Sequence, residues 1–358
     1  MRSFLFILLL GAASLAEPTD PTLTGERRDE ALRQLLSMDR DTRRQAHQAL
    51  SQLGEQDRLV HQALLKKART QHASKFQEAI ENIYRTSKEF SERHRDWLRQ
   101  CEATLELGNQ DLANDASSLR KLSQLQTAAA RSHRQLPRLA QTLSAPLASI
   151  EALGKIILEL DMEMALLEGE DERAFELSLE EIYESVPYGD HVSAIQERLS
   201  SIHAITAMEI GVGEFNASIA KWPSDPQRAF AKTLNTMRSQ LGLTPLYLQR
   251  ELCQASIAHS AEMHRLGYFA HTSPVPTNAN PALRAFNAKY EGRWQGENIY
   301  MGSNSAQAAY DAWWKSDEHR KIMLMKRPNH LGIGLANAHW TMTMGLGEQP
   351  HPTTEQPD

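Results

Sequence analysis

The sequence predicts a multidomain protein in which an elongated all-α bundle or coiled coil, at about residues 25–210, precedes an α+β domain at about 224–347. From Thr24 to Leu136 the chain has no proline and hardly any glycine, and good helix formers dominate. In the last third, helical patterns come first and strand patterns last, an order that favours an α+β domain. The length of 358 residues also exceeds that of one ordinary domain.

Composition narrows the class of protein. A content of 41% hydrophobic and 23% charged residues is typical of a folded chain rather than a disordered one. The formal net charge of -6 argues against a general nucleic-acid binder, because such proteins present a basic face to phosphates. We therefore expect no nucleic acid among the partners.

Residues 1–16 predict a cleaved signal peptide. A positive charge at Arg2 precedes a short apolar run from Phe4 to Leu10, and small residues stand at Ser14 and Ala16. A membrane anchor is the alternative, but the run is too short to span a bilayer comfortably. No later stretch has the apolar length of a spanning helix. The prediction is a secreted or periplasmic protein without a stable membrane span.

A heptad stripe marks one long helical segment. Its members alternate at steps of three and four residues, which predicts a left-handed supercoil against a partner helix. Aromatic residues on such a stripe are more often core than a ligand pocket. We interpret His94 as a polar residue tolerated at the seam rather than as a metal ligand. The stripe consists of Ala73, Phe76, Ile80, Ile83, Ser87, Phe90, His94, Trp97 and Cys101.

The helical region carries no predicted catalytic site, because its histidines do not share a helix face at metal-ligand spacing. We interpret it as a spacer or as a surface for self-association. Residues 211–223 break the helical pattern with Gly211 and Gly213, so they predict a linker. This glycine pair lacks the third glycine and the preceding strand of a dinucleotide-binding fingerprint.

The C-terminal domain begins with two predicted helices. A capping Ser224 with Pro226 opens the first, which ends at Gly242, and Gly267 ends the second. Residues 348–358 are predicted to be a disordered tail. The remaining predicted elements are a short helix with Leu283 and Phe286, a strand at Ile299 and Tyr300, a helix at 306–315, and strands at 331–335 and 340–344.

Three separate blocks of this domain combine polar groups with glycine, proline or aromatic residues, as the walls of a cleft do. They are Phe269-Ala270-His271-Thr272-Ser273-Pro274, Gly296-Glu297-Asn298-Ile299 and Trp313-Trp314-Lys315-Ser316-Asp317-Glu318-His319-Arg320. Other blocks in order are Leu234-Asn235-x-x-Arg238, Ala258-His259-Ser260-x-x-Met263, Gly332-Ile333-Gly334 and Trp340-Thr341. With these blocks, residues 226–347 resemble the CAP superfamily (SCP domain) of cysteine-rich secretory, antigen 5 and pathogenesis-related proteins, in its bacterial branch.

The resemblance implies a three-layer α-β-α sandwich with a cleft in which two histidines and two acidic residues converge and sometimes hold a divalent metal. His271 corresponds to the first cleft histidine, and Glu297 to the glutamate of the Gly-Glu-Asn block. Ser316 stands at the position of the second glutamate, as in bacterial members, and His319 follows one turn later. His339 corresponds to the second cleft histidine of the animal and plant proteins.

Imidazoles beside a carboxylate could bind an ion such as zinc, and His271, His319 and His339 are the predicted ligands. The same groups could perform general acid–base chemistry. The sequence has no Gly-x-Ser-x-Gly elbow and no His-Glu-x-x-His motif.

The same residues could instead have structural roles. Glu297 could tie a strand to a loop, and His259, on an apolar helix face, is interpreted as a hydrogen-bonded core residue.

An exported binding module is the favoured function, with a cleft that takes an extracytoplasmic ligand such as a lipid, a glycan or a peptide. The alternative is a peptidase-like hydrolase that uses His271, Glu297 and His319 with or without a metal. The sequence does not decide whether the protein is an enzyme, although it favours binding over catalysis.

Cys101 and Cys253 are the two cysteines of the chain. Export permits a disulfide between them. Because Cys101 lies on the heptad stripe and Cys253 on the second helix of the C-terminal domain, a bridge would need close packing of these two elements. Two free, buried thiols are the favoured state.

Overall fold

A computed structural model describes residues 25–51, 55–112, 115–169, 178–219 and 223–349. The predicted signal peptide lies outside the described residues, as do residues 350–358 of the predicted tail. The N-terminal region is helical, as predicted. Its helices are α1 (Gly25–Leu35), α2 (Arg40–Ser51), α3 (Glu55–Thr86), α4 (Lys88–Gly108), α5 (Ala116–Glu168), α6 (Leu179–Glu184) and α7 (Gly189–Ser218).

The C-terminal region mixes helices and strands. Within the described ranges, no helix combines the length and the apolarity that a bilayer crossing requires. The elements are α8 (Asp225–Gln240), β1 (Tyr247–Leu248), α9 (Arg250–Leu266), a 3-10 turn (Pro276–Asn278), α10 (Pro281–Asn287), β2 (Arg293–Met301), α11 (Ala306–Lys315), α12 (Asp317–Met323), β3 (His330–Ala336) and β4 (His339–Leu346).

The chain divides into two compact units. Described residues within 1–87 and 143–194 form unit 1, and those within 88–142 and 195–358 form unit 2. The predicted helical range 25–210 therefore contributes to both units. Helix α4 and the first part of α5 belong to the same unit as the C-terminal α+β region.

Helix α7 runs through the first part of the predicted linker. The expectation that Gly211 and Gly213 interrupt the helix is wrong, because the helix continues to residue 218. Glycine weakens a helix by only about 1 kcal/mol relative to alanine. Tertiary contacts outweigh that penalty here, since Val212 is buried and the Asn216 side chain donates to the carbonyl oxygen of Leu246 at 3.0 Å.

Unit 1 is a set of helices around an apolar core. Leu35, Leu65 and Leu160 are fully buried in that core. At its border, the buried guanidinium of Arg43 on α2 pairs with Glu159 on α5, with 2.5 Å between nitrogen and oxygen. The pair joins two helices that are far apart in sequence.

The heptad stripe is buried, as predicted, although Ser87 divides it between α3 and α4. The ring of His94 lies near Phe90 and Trp97, with centroid distances of 6.0 and 5.9 Å. Neither ring nitrogen of His94 has a hydrogen-bond partner among the described residues. These observations fit its interpretation as a seam residue. The buried members are Phe76, Ile80, Ile83 and Ser87 in unit 1 and Phe90, His94, Trp97 and Cys101 in unit 2, while Ala73 is half-buried.

A four-stranded sheet in the order β1-β3-β4-β2 forms the centre of the C-terminal region. The β1–β3 pair is parallel, and the other two pairs are antiparallel, which confirms a mainly antiparallel sheet. Strand β1 has only two residues, so it leaves no alternating pattern that a sequence could reveal. Strand β2 begins at Arg293, earlier than the predicted strand at Ile299.

Helices cover both faces of this sheet. On one face lies α9, where the hydroxyls of Ser256 and Thr343 are 2.9 Å apart. On the other face lie α8 and α11, where the ring of Phe230 packs 5.1 Å from that of Trp313 and 6.1 Å from that of Trp340. The three layers confirm the predicted α-β-α sandwich. Strand β2 lies at an edge of the sheet.

Candidate functional site

His271 and Glu297 meet at the β2 edge of the sheet. His271 lies in the loop after α9, and Glu297 lies in the middle of β2. The His271 Nδ1 and Glu297 Oε1 atoms are 2.9 Å apart. The His271 side chain is 48% exposed, whereas that of Glu297 is 2% exposed. A solvent-accessible imidazole is therefore hydrogen-bonded to a buried carboxylate.

Arg284 on α10 fixes the position of this pair. Its guanidinium donates to Glu297 Oε1 at 2.8 Å and to Oε2 at 2.7 Å. It also donates to the carbonyl oxygens of His271 and Asn278, both at 3.0 Å. One buried arginine thus holds the carboxylate and the backbone of the loop that carries the imidazole. Hydrogen bonds between charged groups are stronger than neutral ones, so this arginine holds the carboxylate firmly.

The hydrogen bonds assign the tautomer of His271. Because both Glu297 oxygens accept from Arg284, the carboxylate acts as an acceptor toward His271 as well. Nδ1 of His271 then carries a proton, and Nε2 is the ring nitrogen left for a ligand. That atom could accept a hydrogen bond from a ligand, ligate a metal or take a proton.

Glu262 on α9 also holds this loop, through three side-chain hydrogen bonds. Its carboxylate accepts from the hydroxyls of Tyr268 at 2.6 Å and Ser273 at 2.5 Å, and from the amide of Asn278 at 3.1 Å. Burial raises the pKa of Glu262, but these three hydrogen bonds outweigh it and leave the pKa below its usual value. The loop is therefore tied to two carboxylates, Glu262 and Glu297.

His259 is a core residue, as predicted. It is 1% exposed, and its Nε2 lies 3.2 Å from the carbonyl oxygen of Ala270. Burial, followed by the nearby charge of Arg284, lowers the pKa of His259 to about 4. The ring is therefore neutral near pH 7 and supports the loop without facing solvent.

Two more predicted cleft residues lie at α12, with Ser316 just before its first residue and His319 within it. Nδ1 of His319 and the hydroxyl of Ser316 are 2.8 Å apart. The carbonyl oxygen of His319 accepts from the Asn298 side chain at 3.0 Å. Burial, and then the neighbouring imidazole of His271, lower the pKa of His319. His319 is therefore close enough to His271 for their charges to interact.

His339 lies away from this pair. Its Nδ1 is 2.9 Å from the carbonyl oxygen of Asn337, and its ring is 5.5 Å from that of His264. In the β2–β4 register, Glu297 pairs with Thr343, four residues along β4 from His339. At about 3.3 Å per residue, that separation is roughly 13 Å along the strand. The sequence correspondence did not reveal this distance.

No group of three or more His, Cys, Asp or Glu side chains in the described ranges is arranged to hold a metal ion. His271 and His319 each use Nδ1 in a hydrogen bond, which leaves Nε2 as the atom that a metal would need. His339, the first residue of β4, lies four residues along that strand from the partner of Glu297. A metal at these histidines stays a prediction.

Sequence reasoning missed Arg284 and Glu262. Both are largely buried, although charged residues on short helices or helix ends usually face water. Arg284 lies within Ala-Leu-Arg-Ala-Phe, and this local sequence does not indicate whether its side chain is buried or exposed. For Glu262, the one available signal is its place within the block from Ala258 to Met263, at a position that the block leaves open.

Comparison with known proteins identifies the domain that carries this site. Residues 231–341 match the family model described as CAP, the cysteine-rich secretory protein family. The matched range includes His271, Arg284, Glu297 and His319, and it ends within β4.

Two curated proteins of Bacillus subtilis (strain 168) are similar to part of the chain. The uncharacterized protein YkwD is 29% identical over 117 residues, which are 32% of this chain and 45% of that protein. The uncharacterized membrane protein YlbC is 28% identical over 107 residues, which are 30% of this chain and 30% of that protein. The chain therefore spans less than half the length of either relative.

Solved structures of bacterial proteins are similar over the same share of the chain. An extracellular protein containing a SCP domain from Bacillus anthracis str. Ames is 27% identical, with a TM-score of 0.33, and the match covers 34% of this chain and 40% of that one. A cysteine-rich secretory protein from Staphylococcus aureus subsp. aureus Mu50 is 18% identical, with a TM-score of 0.30, and the match covers 36% of this chain and 40% of that one. The family model, the ordered sequence blocks and the three-layer architecture together identify residues 231–341 of this chain as a CAP domain.

Proposed function

We propose that the CAP domain of this chain binds an extracytoplasmic ligand, a lipid, a glycan or a peptide, in a cleft whose polar centre is His271 with Glu297. One observation carries the proposal: an exposed imidazole is held at 2.9 Å by a buried carboxylate. A surface histidine without a ligand gains little from such a fixed support. A histidine that must present Nε2 to a ligand in one direction requires it.

Exposed aromatic residues on the two segments that carry the pair favour a ligand with both polar and apolar parts. Phe269, two residues before His271, is 45% exposed, and Trp294, on the same strand as Glu297, is 37% exposed. Exposed aromatic rings supply apolar contact area to sugars, acyl chains and peptide side chains. His271 Nε2 would accept a hydrogen bond from a hydroxyl or amide of the same ligand.

The extracytoplasmic location in this proposal comes from the sequence. Residues 1–16 have the charge, apolar run and small residues of a cleaved signal peptide. The helical region is proposed to act as a spacer or as a surface for self-association. Gel filtration with light scattering of the full chain would test self-association, and a monomer at high concentration would contradict it.

A hydrolase is the second candidate, because a histidine oriented by a carboxylate is also the arrangement of a general base. Ser273, two residues after His271, donates its hydroxyl to Glu262. The hydroxyl of Ser316 lies 2.8 Å from Nδ1 of His319, so His319 could act as its base. That hydroxyl is paired with His319 and not with His271, the histidine that a buried carboxylate orients. Binding through His271 is therefore the better-supported function.

The test compares His271→Ala with the control His264→Ala in the full chain. His264 is also an exposed histidine of the CAP domain, but it lies near His339 rather than Glu297. The probes are muropeptides, phosphatidylglycerol vesicles and an unstructured peptide mixture, with binding measured by calorimetry and cleavage by mass spectrometry.

We expect the natural chain and the control to bind one probe class, and His271→Ala to bind it roughly tenfold more weakly or worse. Unchanged affinity in a folded His271→Ala variant would contradict the proposed cleft. Probe cleavage that His271→Ala abolishes would favour the hydrolase instead.

A further inference from the structure

The end of helix α4 is joined to helix α12 of the CAP domain by a fully buried arginine. Arg320 on α12 donates from Nε to the carbonyl oxygen of Gly108 and from Nη2 to that of Gln110, both at 2.8 Å. Its side chain is 0% exposed. The last carbonyls of a helix have no partners within the helix. Here, a side chain of the CAP domain supplies the donors.

Asp317, at the start of α12, completes the connection. One of its carboxylate oxygens accepts from Arg320 Nη2 at 2.5 Å and from the backbone nitrogen of Leu112 at 2.8 Å. Lys321 adds an ion pair with Asp111 at 2.7 Å. We call residues 108–112 the α4 clasp. Their backbone groups and the Asp111 side chain bind Asp317, Arg320 and Lys321 of α12.

The two helices pack closely at the clasp. A Cβ atom added to Gly108 would lie 2.5 Å from a methyl carbon of Leu324, the residue that ends α12. A side chain at position 108 therefore requires the end of the Leu324 side chain to move. Glycine allows α4 and the end of α12 to pack closely without that movement.

Helix α12 is also a wall of the proposed cleft. His319 precedes Arg320 directly, and its carbonyl oxygen accepts from the side chain of Asn298, the neighbour of Glu297 on β2. A shift of α12 would move the His319 ring and the hydrogen bond that joins α12 to β2. The clasp therefore lies one residue from His319, a predicted residue of the cleft.

We propose that the α4 clasp positions His319, so that the helical region sets the geometry of the cleft and does not act only as a spacer. The inference rests on the proposed function of the cleft. It predicts that a change on α4, outside the residues matched by the family model, alters the cleft from a distance. A substitution at Gly108 can test this prediction, because it would press on Leu324 at the end of α12 without removing any group of the CAP domain.

The experiment compares Gly108→Val with Gly211→Val in the full chain. Gly211 is a matched control, because it also lies in a helix and an added Cβ would meet nothing within 4 Å. The readouts are the ring nitrogen NMR signals of His319 and the side-chain amide signals of Asn298 at fixed pH. His330 serves as an internal reference, since its ring nitrogens bond to Tyr290 and Glu348 instead.

We expect Gly108→Val to shift the His319 and Asn298 signals and to leave the His330 signals in place. The double variant Gly108→Val with Leu324→Ala should return them toward their natural positions, because it opens the space that valine needs. Gly108→Ala, a milder change, gives the same shifts in smaller size and serves if the valine variant does not fold.

Unchanged His319 and Asn298 signals in folded Gly108→Val or Gly108→Ala would overturn the inference. Equal shifts in Gly211→Val, or in His330, would also overturn it by revealing a general structural effect. These signals need no ligand. A failure of the proposed function, seen as absent binding by the natural chain, is therefore distinguishable from a failure of the clasp.

Discussion

Arg284 donates hydrogen bonds to both carboxylate oxygens of Glu297, at 2.8 and 2.7 Å, and neither side chain is more than 5% exposed. A buried ion pair is costly to break, because the remaining charge has lost both its partner and its water. Because Arg284 fixes the Glu297 carboxylate, the hydrogen-bond partner of the exposed His271 stays in one position. It also makes the proposed cleft depend on a residue outside the recognised blocks.

We predict that Arg284→Met lowers the free energy of unfolding by about 3–5 kcal/mol, because it leaves Glu297 buried without its cation. Urea unfolding of the full chain measures the loss. The double variant Arg284→Met with Glu297→Gln should lose less than the sum of the single variants, since it removes both charges. A loss below about 1 kcal/mol for the single variant would mean that the pair contributes only as much as an exposed one.

We predict that acid destabilises unit 1 through His47 and His61, whose rings are 6.3 Å apart. Burial lowers the pKa of each to about 4, and for His47 the neighbouring His61 and Arg43 lower it further. Glu163, 4.0 Å from His47, is the facing carboxylate. The unfolded chain has histidine pKa values near 6.5, so it binds more protons than the folded chain between about pH 6.5 and pH 4. The free energy of unfolding therefore falls as the pH falls through that window.

His61→Leu should weaken this dependence. The measurement is urea unfolding of the full chain at several pH values, with His203→Leu, at an exposed histidine, as the control. A slope between about pH 6.5 and pH 4 that is as steep in His61→Leu as in the natural chain would contradict the assignment.

We predict that both thiols resist modification in the folded protein. Cys101 and Cys253 are free and buried, as the sequence favoured, and burial raises the pKa of each to about 12. The thiolate is the reactive form, so Ellman's reagent should label neither cysteine in the native chain and both in denaturant. Rapid labelling of one thiol under native conditions would show that its surroundings open readily.

We predict that Gly334→Ala lowers the free energy of unfolding by about 1–3 kcal/mol through overpacking. An added Cβ would lie 2.2 Å from the carbonyl carbon of Ser256 on α9, and a backbone atom cannot rotate aside. Gly211→Ala, with open space around its Cβ, is the control. Urea midpoints of the two variants provide the comparison. A Gly334→Ala protein as stable as the control would indicate that α9 can move away from β3.

The sequence by itself determined the local features of this protein. Continuous helix formers specified the helical region, and the spacing of apolar residues specified which stripe is buried, because both depend on neighbours within a few turns. The blocks around His271 and Glu297 identified the CAP domain and its two central groups.

Only the tertiary structure decided which distant groups meet. It buried Arg284 and Glu262 under the loop, carried α7 through two glycines, and separated His339 from Glu297 along β4. It also joined Arg320 to the end of α4. The burial of a charged residue depends on partners far away in the chain, and a sequence pattern records only periodicity among near neighbours. The core elements could therefore be predicted, whereas the polar network that holds the proposed cleft required coordinates.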